Sequence, residues 1–360
     1  MRSNVAAISL VFLFVSGCPK GSEKAPVDPP GRKDAGGSAN PFLPIAEDAA
    51  IAQLPPAPPL PELPAGLPPV PAMTATPELV ALGELLFHDA RLSISGKVAC
   101  ATCHVPSEGY AGASRQETAA GKPNLRRAPS LVNLAWTKEL GWDGRSPTME
   151  ALLGPHVRGQ MGDDVPTAIA RVAELPGYRA HFARTMTAST DAVATARLAL
   201  EAFVATRYSG GAPWDTLEKD PALPAKLKAG YQLFAGKAQC ATCHPPPLYT
   251  DHAYRRLGLI ATGDEGRARA GDKTKLGAFR TPGLRGAAKR KAFFHDASAT
   301  TLAAAIDWHL AGGVGQGADP SIIDPALVKV TLTVEERANL GVFVDALTET
   351  APAPAAPALP

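Results

Sequence analysis

Two five-residue segments with the same sequence, Cys-Ala-Thr-Cys-His, constrain this chain more than any other feature. They occupy residues 100–104 and 240–244 of the 360. Two thiols three positions apart can reach the two vinyl groups of one porphyrin, and the adjacent imidazole can lie over its iron. The sequence therefore predicts two covalently bound haem c groups. The attaching thiols are those of Cys100, Cys103, Cys240 and Cys243.

Other uses of a Cys-x-x-Cys pair fit this chain poorly. A redox-active dithiol does not require the following histidine, and a zinc site would have to join two distant segments. The chain has five cysteines, and the fifth is Cys18, which leaves none for a structural disulfide. We expect His104 and His244 to be the proximal iron ligands.

The N-terminus carries an export signal. A short apolar run between residues 5 and 15 is followed by Ser16-Gly17-Cys18. The run is too short to span a bilayer, and small residues before a cysteine resemble a bacterial lipobox. Residues 1–18 are thus predicted to be a lipoprotein signal, with Cys18 acylated and the protein periplasmic and anchored to the outer membrane. The alternative is an ordinary secretory signal that contains a cysteine.

Composition separates the terminal segments from the rest. Residues 19–72 are rich in proline, which favours extended conformations, so we expect a semi-rigid tether. The Ala- and Pro-rich residues 350–360 are predicted to be a disordered tail. A formal net charge of +2 gives no strong field, and nucleic acid is therefore not expected as a partner.

Between these segments the sequence favours helices. Thr76-Pro77 can begin one before the first haem motif, and amphipathic stretches lie at about 165–174, 190–206 and 333–347. Similar lead-ins precede both haem motifs, which indicates an internal repeat. Strand signals are few, so the predicted fold is mainly α. The expected domains, each holding one haem, are residues 73–215 and 216–349.

From about residue 76 to 347 the chain resembles the bacterial di-haem cytochrome c peroxidase family, which includes the MauG-type enzymes. Besides the haem motifs, the resemblance rests on segments 82–87, 89–93, 127–133, 142–145, 175–178, 279–285 and 294–296. It implies two cytochrome-c-like helical domains, peroxide reacting at the first haem, and electrons arriving through the second. Trp142 matches a tryptophan that lies between the haems, where it can carry electrons or fill a core.

The first haem departs from the family pattern in two ways. Relatives usually supply a glutamate that moves a proton of the peroxide, and Gln160 stands at its place. An amide cannot accept that proton, so His156 is our candidate replacement, against the alternative of an ordinary histidine. Many relatives also have a histidine that blocks the resting iron. The chain has none between His104 and His156, which predicts an open first haem.

Relatives usually bind the distal side of the second haem iron with methionine, or with tyrosine in MauG itself. Here the sequence predicts a histidine as that ligand. His309 falls at that position, and ligation by it is expected to lower the haem's potential. The alternative is a histidine of the core or surface. Arg280 and Arg285 lie in a basic run from Arg267 to Lys291 and are interpreted as structural or paired with haem propionates. Arg127 replaces an asparagine that binds calcium in relatives, so we do not expect high-affinity calcium.

The sequence is compatible with three functions. The leading hypothesis is an oxidoreductase that reduces hydrogen peroxide with electrons from a small cytochrome c or a cupredoxin. The second is MauG-like oxidation of an aromatic side chain in a protein substrate, which the absent blocking histidine favours. The third is a non-catalytic electron carrier, which Gln160 favours. The resemblance also implies a homodimer as one alternative, since many relatives form one.

Overall fold

Residues 48–259, 263–314, 321 and 323–360 are described by the computed structural model. The predicted signal, Cys18 and the tether as far as residue 47 lie outside the described residues. In the described part, no helix is both long enough and apolar enough to cross a membrane.

Regular structure is mostly helical, as predicted. The helices are α1 (Asp48–Ala52), α2 (Pro77–His88), α3 (Cys100–Cys103), α4 (Met149–His156), α5 (Val165–Ala173), α6 (Pro176–Thr185), α7 (Ala192–Ala205), α8 (Pro213–Leu217), α9 (Ala225–Ala235), α10 (Leu302–Leu310) and α11 (Val334–Asp345). A π-helical turn, Val157–Met161, continues from α4. Strands β1 (Tyr254–Arg256) and β2 (Ala278–Arg280) form an antiparallel pair.

Local sequence explains where the helices begin. The Thr76 hydroxyl accepts a hydrogen bond from the Leu79 amide at 3.2 Å, and proline follows at the first helical position of α2. At α11, in the stretch predicted at 333–347, a capping box is present, with reciprocal bonds between Thr333 and Glu336. The amphipathic stretches predicted near 165 and 190 are α5 and α7. These predictions are confirmed.

The first hydrophobic core is built by α2, α4, α5, α6 and α7. Its densest contact is the crossing of α2 and α7. Gly83 permits that crossing, because a β-carbon there would lie 2.0 Å from the Ala199 carbonyl oxygen. Leu82, Leu86 and Phe203 are fully buried around it. The close approach fixes the helix that leads into the first haem motif.

The second core repeats this arrangement with α8, α9 and α11. Gly230 of α9 occupies the place of Gly83, since a β-carbon there would lie 2.1 Å from the Asn339 carbonyl oxygen of α11. Phe234 and Phe343 pack at 4.9 Å between ring centroids. The similar lead-ins in the sequence thus correspond to two similar helix crossings. Trp214 also packs here, so this core begins just before the boundary expected at residues 215/216.

Ion pairs and hydrogen bonds join the two cores. Arg126 binds Asp264 at 2.5 Å and Asp143 at 2.9 Å; both carboxylates are buried and Arg126 is partly buried. Tyr254 of β1 donates to Glu139 at 2.5 Å, and Arg267 pairs with the same carboxylate at 2.9 Å. The segment 139–143, which contains Trp142, is therefore bound by Arg126 and also by Tyr254 and Arg267 of the second half of the chain.

Terminal segments also contact the folded body. The indole of Trp136 donates to the Pro69 carbonyl at 3.0 Å, and Arg285 donates to the Gly66 carbonyl at 2.6 Å. At the other end, Arg91 donates to the Pro360 carbonyl at 2.9 Å. The proline-rich residues after 53 thus lie along the protein surface.

Candidate haem sites and the segment between them

The first site begins on α3, where Cys100 and Cys103 stand one turn apart and His104 follows. His104 is 8% exposed, and its Nδ1 contacts the carbonyl oxygens of Pro129 at 2.9 Å and Tyr110 at 3.2 Å. These acceptors favour the tautomer with hydrogen on Nδ1, which leaves Nε2 free to bind a metal. Burial lowers the pKa of His104 to about 4, so the imidazole is neutral at neutral pH. The His104 imidazole is therefore neutral, with the lone pair of Nε2 available to bind a metal.

The second site has the same local design. Cys240 begins a short 3₁₀ turn, and His244 follows with its Nδ1 2.9 Å from the Tyr249 carbonyl oxygen. Burial lowers the pKa of His244 to about 4. Its Nε2 is therefore also left free as a lone-pair donor.

His309 of α10 faces His244. The two ring centroids are 6.5 Å apart. Two imidazoles that bind one ion from opposite sides, at about 2 Å per metal–nitrogen bond, would have centroids a little over 6 Å apart. The Nδ1 of His309 contacts the Ala305 carbonyl oxygen at 2.8 Å, and burial lowers its pKa. The two rings thus lie at a centroid spacing compatible with binding one ion, and burial favours the neutral form of both.

A large, mostly apolar cavity surrounds this pair. Its volume, including the opening to solvent, is about 1500 Å³. The lining includes the thiols of Cys240 and Cys243, both histidines, and apolar side chains such as Phe293. An apolar pocket with two thiols and two neutral imidazoles fits a covalently held haem.

The alternative uses of the thiols find no support. All four described cysteines are unpaired. Burial raises the pKa of Cys100 and of Cys240 to about 12, whereas a redox-active dithiol needs a lowered pKa. Within the described ranges, no group of three or more His, Cys, Asp or Glu side chains could hold a metal ion. A zinc site therefore does not form from these residues.

Trp142 lies in the wall of the second site and is bonded to the segment that contacts His104. It is 6% exposed and lines both the large cavity and a smaller one bounded by Pro129, the residue whose carbonyl binds His104. Its indole Nε1 donates to the Arg127 carbonyl at 2.8 Å, and its own carbonyl accepts from the Arg280 amide at 2.8 Å. The ring is therefore fixed by segments of both domains.

His156 and Gln160 lie where α4 passes into the π-helical turn. His156 is half-buried, and burial lowers its pKa. It is close enough to His104 that a positive charge on it lowers the pKa of His104. Gln160 has a buried Oε1 with no hydrogen-bond partner. π-Helical turns often occur at functional sites, and here one carries an unsatisfied amide next to a neutral imidazole.

The arginines of the basic run differ in their partners. Arg285 is 2% exposed and pairs with Asp215 through two nitrogens at 2.7 and 2.8 Å, so its charge is already balanced within the fold. Arg280 has a pKa lowered by burial and lines both cavities. In the described part of the chain it has no carboxylate at ion-pair distance.

Sequence reasoning missed two residues near the second site. Arg290 is buried, its Nε has no hydrogen-bond partner, and burial lowers its pKa to about 10. His295 is 2% exposed, stacks on Phe279 at 3.6 Å, and has a buried Nε2 without a partner. Both line the large cavity. In the sequence, Arg290 is marked only by its place in the basic run and His295 only by its place in the Phe-His-Asp segment. Neither feature indicates that the side chain is buried.

Two helical cores, each with a Cys-x-x-Cys-His site whose histidine is ready to bind iron, define a di-haem c-type cytochrome. Comparison with known proteins leads to the same class of protein. Residues 77–221 match the profile of the family described as di-haem cytochrome c peroxidase. Over 295 residues the chain is 35% identical to the methylamine utilization protein MauG of Methylorubrum extorquens, covering 79% of this chain and 82% of that protein.

Other similarities extend over the same region. The cytochrome-c peroxidase IdrP1 of Denitromonas iodatirespirans is 30% identical over 346 residues, covering 84% of this chain and 89% of that one. A solved MauG-like protein associated with microbial copper homeostasis superposes with a TM-score of 0.71 and 26% identity, covering 80% and 95% of the two chains. The diheme peroxidase BthA of Burkholderia thailandensis E264 shares the fold, with a TM-score of 0.61 and 23% identity. The chain belongs to the di-haem cytochrome c peroxidase and MauG family, whose members bind two covalent haems.

Proposed function

We propose that this protein reduces hydrogen peroxide to water at the haem bound by His104, with electrons that pass through Trp142 from the haem bound by His244. The observation that carries the proposal is the position of Trp142, which is buried in the wall of the second haem cavity and bonded through its Nε1 to Arg127, in the segment whose Pro129 carbonyl contacts His104. When bound, the two haems supply the redox chemistry, in which peroxide takes up two electrons and two protons. A small cytochrome c or a cupredoxin would be the donor.

His156 would manage the protons at the first site. Because burial lowers its pKa, the imidazole is neutral at neutral pH and can accept a proton from one peroxide oxygen and return it to the other. The unpartnered Oε1 of Gln160 can accept a hydrogen bond from the peroxide but cannot take its proton. Gln160 would therefore orient the substrate, and His156 would do the chemistry.

Replacing His156 with alanine is expected to slow the reaction with peroxide by about 100-fold or more, the usual contribution of a positioned acid–base group. Gln160→Ala should cost less than His156→Ala, because it removes only a hydrogen bond. In the native protein the rate should fall as the pH drops below the histidine range and His156 becomes protonated. The measurement is the rate of the haem absorbance change after mixing with peroxide.

His181→Ala serves as the control, since His181 is also half-buried but lies on α6 in the first core. Its rate should match that of the native protein. If neither His156→Ala nor Gln160→Ala alters peroxide turnover, the proposed division of roles is wrong.

At the second site, His309 would be the distal ligand of a bis-histidine haem, and arginines of the cavity wall would bind its propionates. Arg290 is buried and Arg280 is partly buried, and neither has a carboxylate at ion-pair distance among the described residues, so a carboxylate of the cofactor would stabilise them. Arg285, which is already paired with Asp215, would serve the fold. Of the two roles considered for Arg285, the structural one is favoured.

A second candidate function is oxidation of an aromatic side chain in a partner protein. It is favoured by the absence of histidine between His104 and His156, the segment in which many relatives have the histidine that blocks the first haem at rest. Mass spectrometry of exported proteins incubated with this protein and peroxide should then show oxygen insertion or a crosslink. Unmodified partners would exclude this function.

The protein would work in the periplasm, held by acyl chains on Cys18. The support is the apolar run that ends in Ser16-Gly17-Cys18. Cys18→Ser should release the protein from the membrane fraction into the soluble periplasmic fraction, with both haems still attached. An unchanged membrane association of the variant would contradict the anchor.

A further inference from the structure

Arg127 is a buried cation with unusual partners. Its side chain is almost wholly enclosed, the residue being 3% exposed. Its Nε donates to the Phe294 carbonyl at 2.5 Å, and its Nη1 lies 3.3 Å from the Ala128 carbonyl oxygen and 3.5 Å from that of Gly112. Its backbone amide also donates to the His295 carbonyl at 2.8 Å. The guanidinium is thus surrounded by main-chain oxygens of both domains.

No carboxylate balances this charge at close range. None of the described acidic side chains lies within ion-pair distance of Arg127. The carboxylate of Asp296 raises the pKa of Arg127 electrostatically, but from beyond that distance. Burial lowers the pKa of Arg127 to about 9, which still leaves it charged at neutral pH. A buried charge held by carbonyl oxygens alone resembles the coordination of a hard cation such as Ca²⁺.

The calcium ion that the family resemblance implies does not fit this junction. The guanidinium fills the space that the carbonyl oxygens enclose, and a second cation there would be repelled. Nor do the described residues supply a carboxylate cluster that could hold the ion elsewhere. The same guanidinium lies 5.0 Å above the centre of the Trp142 ring, whose Nε1 donates to the Arg127 carbonyl.

We propose that Arg127 is a resident cation that takes the place of a metal ion at the junction of the two haem domains. It binds carbonyl oxygens that follow the first haem motif and one that belongs to the Phe-His-Asp segment of the second domain. In this way it locks the two domains together and fixes the position of Trp142. The junction therefore needs no calcium. This inference rests on the contacts of Arg127 and not on the proposed reaction.

The test is thermal unfolding of the purified protein with both haems attached, in EDTA and in added Ca²⁺. The native protein should show the same midpoint in both. Arg127→Met keeps most of the volume but not the charge, and should lower the midpoint by several degrees. Arg127→Lys keeps the charge and should recover at least half of that loss, which a role in packing alone would not produce.

Arg171→Met is the matched control. Arg171 also donates to main-chain carbonyls, those of Arg91 and Leu92, but it pairs with Asp163 and is more exposed. Its replacement should change the midpoint less than Arg127→Met does. A native protein that EDTA destabilises and Ca²⁺ restores would overturn the proposal, as would equal midpoints for Arg127→Met and Arg127→Lys. If Arg127→Met does not fold, the chelator comparison and Arg127→Lys decide. None of these measurements requires peroxide activity.

Discussion

Replacing His309 with methionine is expected to raise the reduction potential of the second haem by on the order of 0.1 V, within the range of roughly 0.8 V that axial ligands span. Methionine favours reduced iron more than imidazole does. The expectation depends on the 6.5 Å separation of the His309 and His244 rings, which suits two ligands of one ion. The measurement is a spectroelectrochemical titration of both haems.

A second substitution at the same residue, His309→Ala, tests directly whether His309 binds the iron. It should leave the second haem with an open position, seen as a change of spin state that added imidazole reverses. His181→Ala, on the far α6 helix, should leave the spectrum and both potentials unchanged. If His309→Ala retains the native low-spin spectrum of the second haem, His309 is not its ligand.

The buried ion pair of Arg285 and Asp215 should have the largest effect on stability. The two side chains are 2% and 3% exposed, and removing one partner leaves an uncompensated buried charge. Arg285 also donates to the carbonyls of Pro247 and Gly66. Arg285→Met is therefore expected to cost about 3 to 5 kcal/mol of unfolding free energy. The midpoint should fall by roughly 6 to 10 °C.

An exposed pair of equal length gives the control. Lys237 and Glu336 are 2.7 Å apart, the same separation as Arg285 and Asp215, but they are 48% and 30% exposed. Because solvent screens such pairs, Lys237→Met should cost at most about 1 kcal/mol. Thermal unfolding of the two variants side by side checks the prediction. Equal stabilities would mean that burial of the Arg285 pair has no special importance.

Features that depend on local sequence were predictable. The haem motifs, the caps at Thr76 and Thr333, and the helical periodicity are all short-range patterns, and the structure has the expected helices there. The repeated lead-ins also indicated two similar units. The sequence did not show their physical basis, which is that Gly83 and Gly230 each permit a close helix crossing.

The partners of buried charges could not be predicted, because they come from distant parts of the chain. Arg285 and Arg290 belong to the same basic run, yet one is paired with Asp215 and the other has no partner for its Nε. Only the folded chain decides which of them is balanced. For the same reason the contacts of Arg127 with Phe294 and Trp142 could not be predicted from the sequence.

Rapid mixing tests most directly whether the haem bound by His104 reacts with peroxide. The fully oxidised protein would be mixed with a slight excess of hydrogen peroxide while the Soret absorbance is followed. A fast change of the Soret absorbance is expected, and His156→Ala should slow it strongly. No change, in the oxidised and the half-reduced protein alike, would contradict the proposed reaction and would favour a non-catalytic electron carrier.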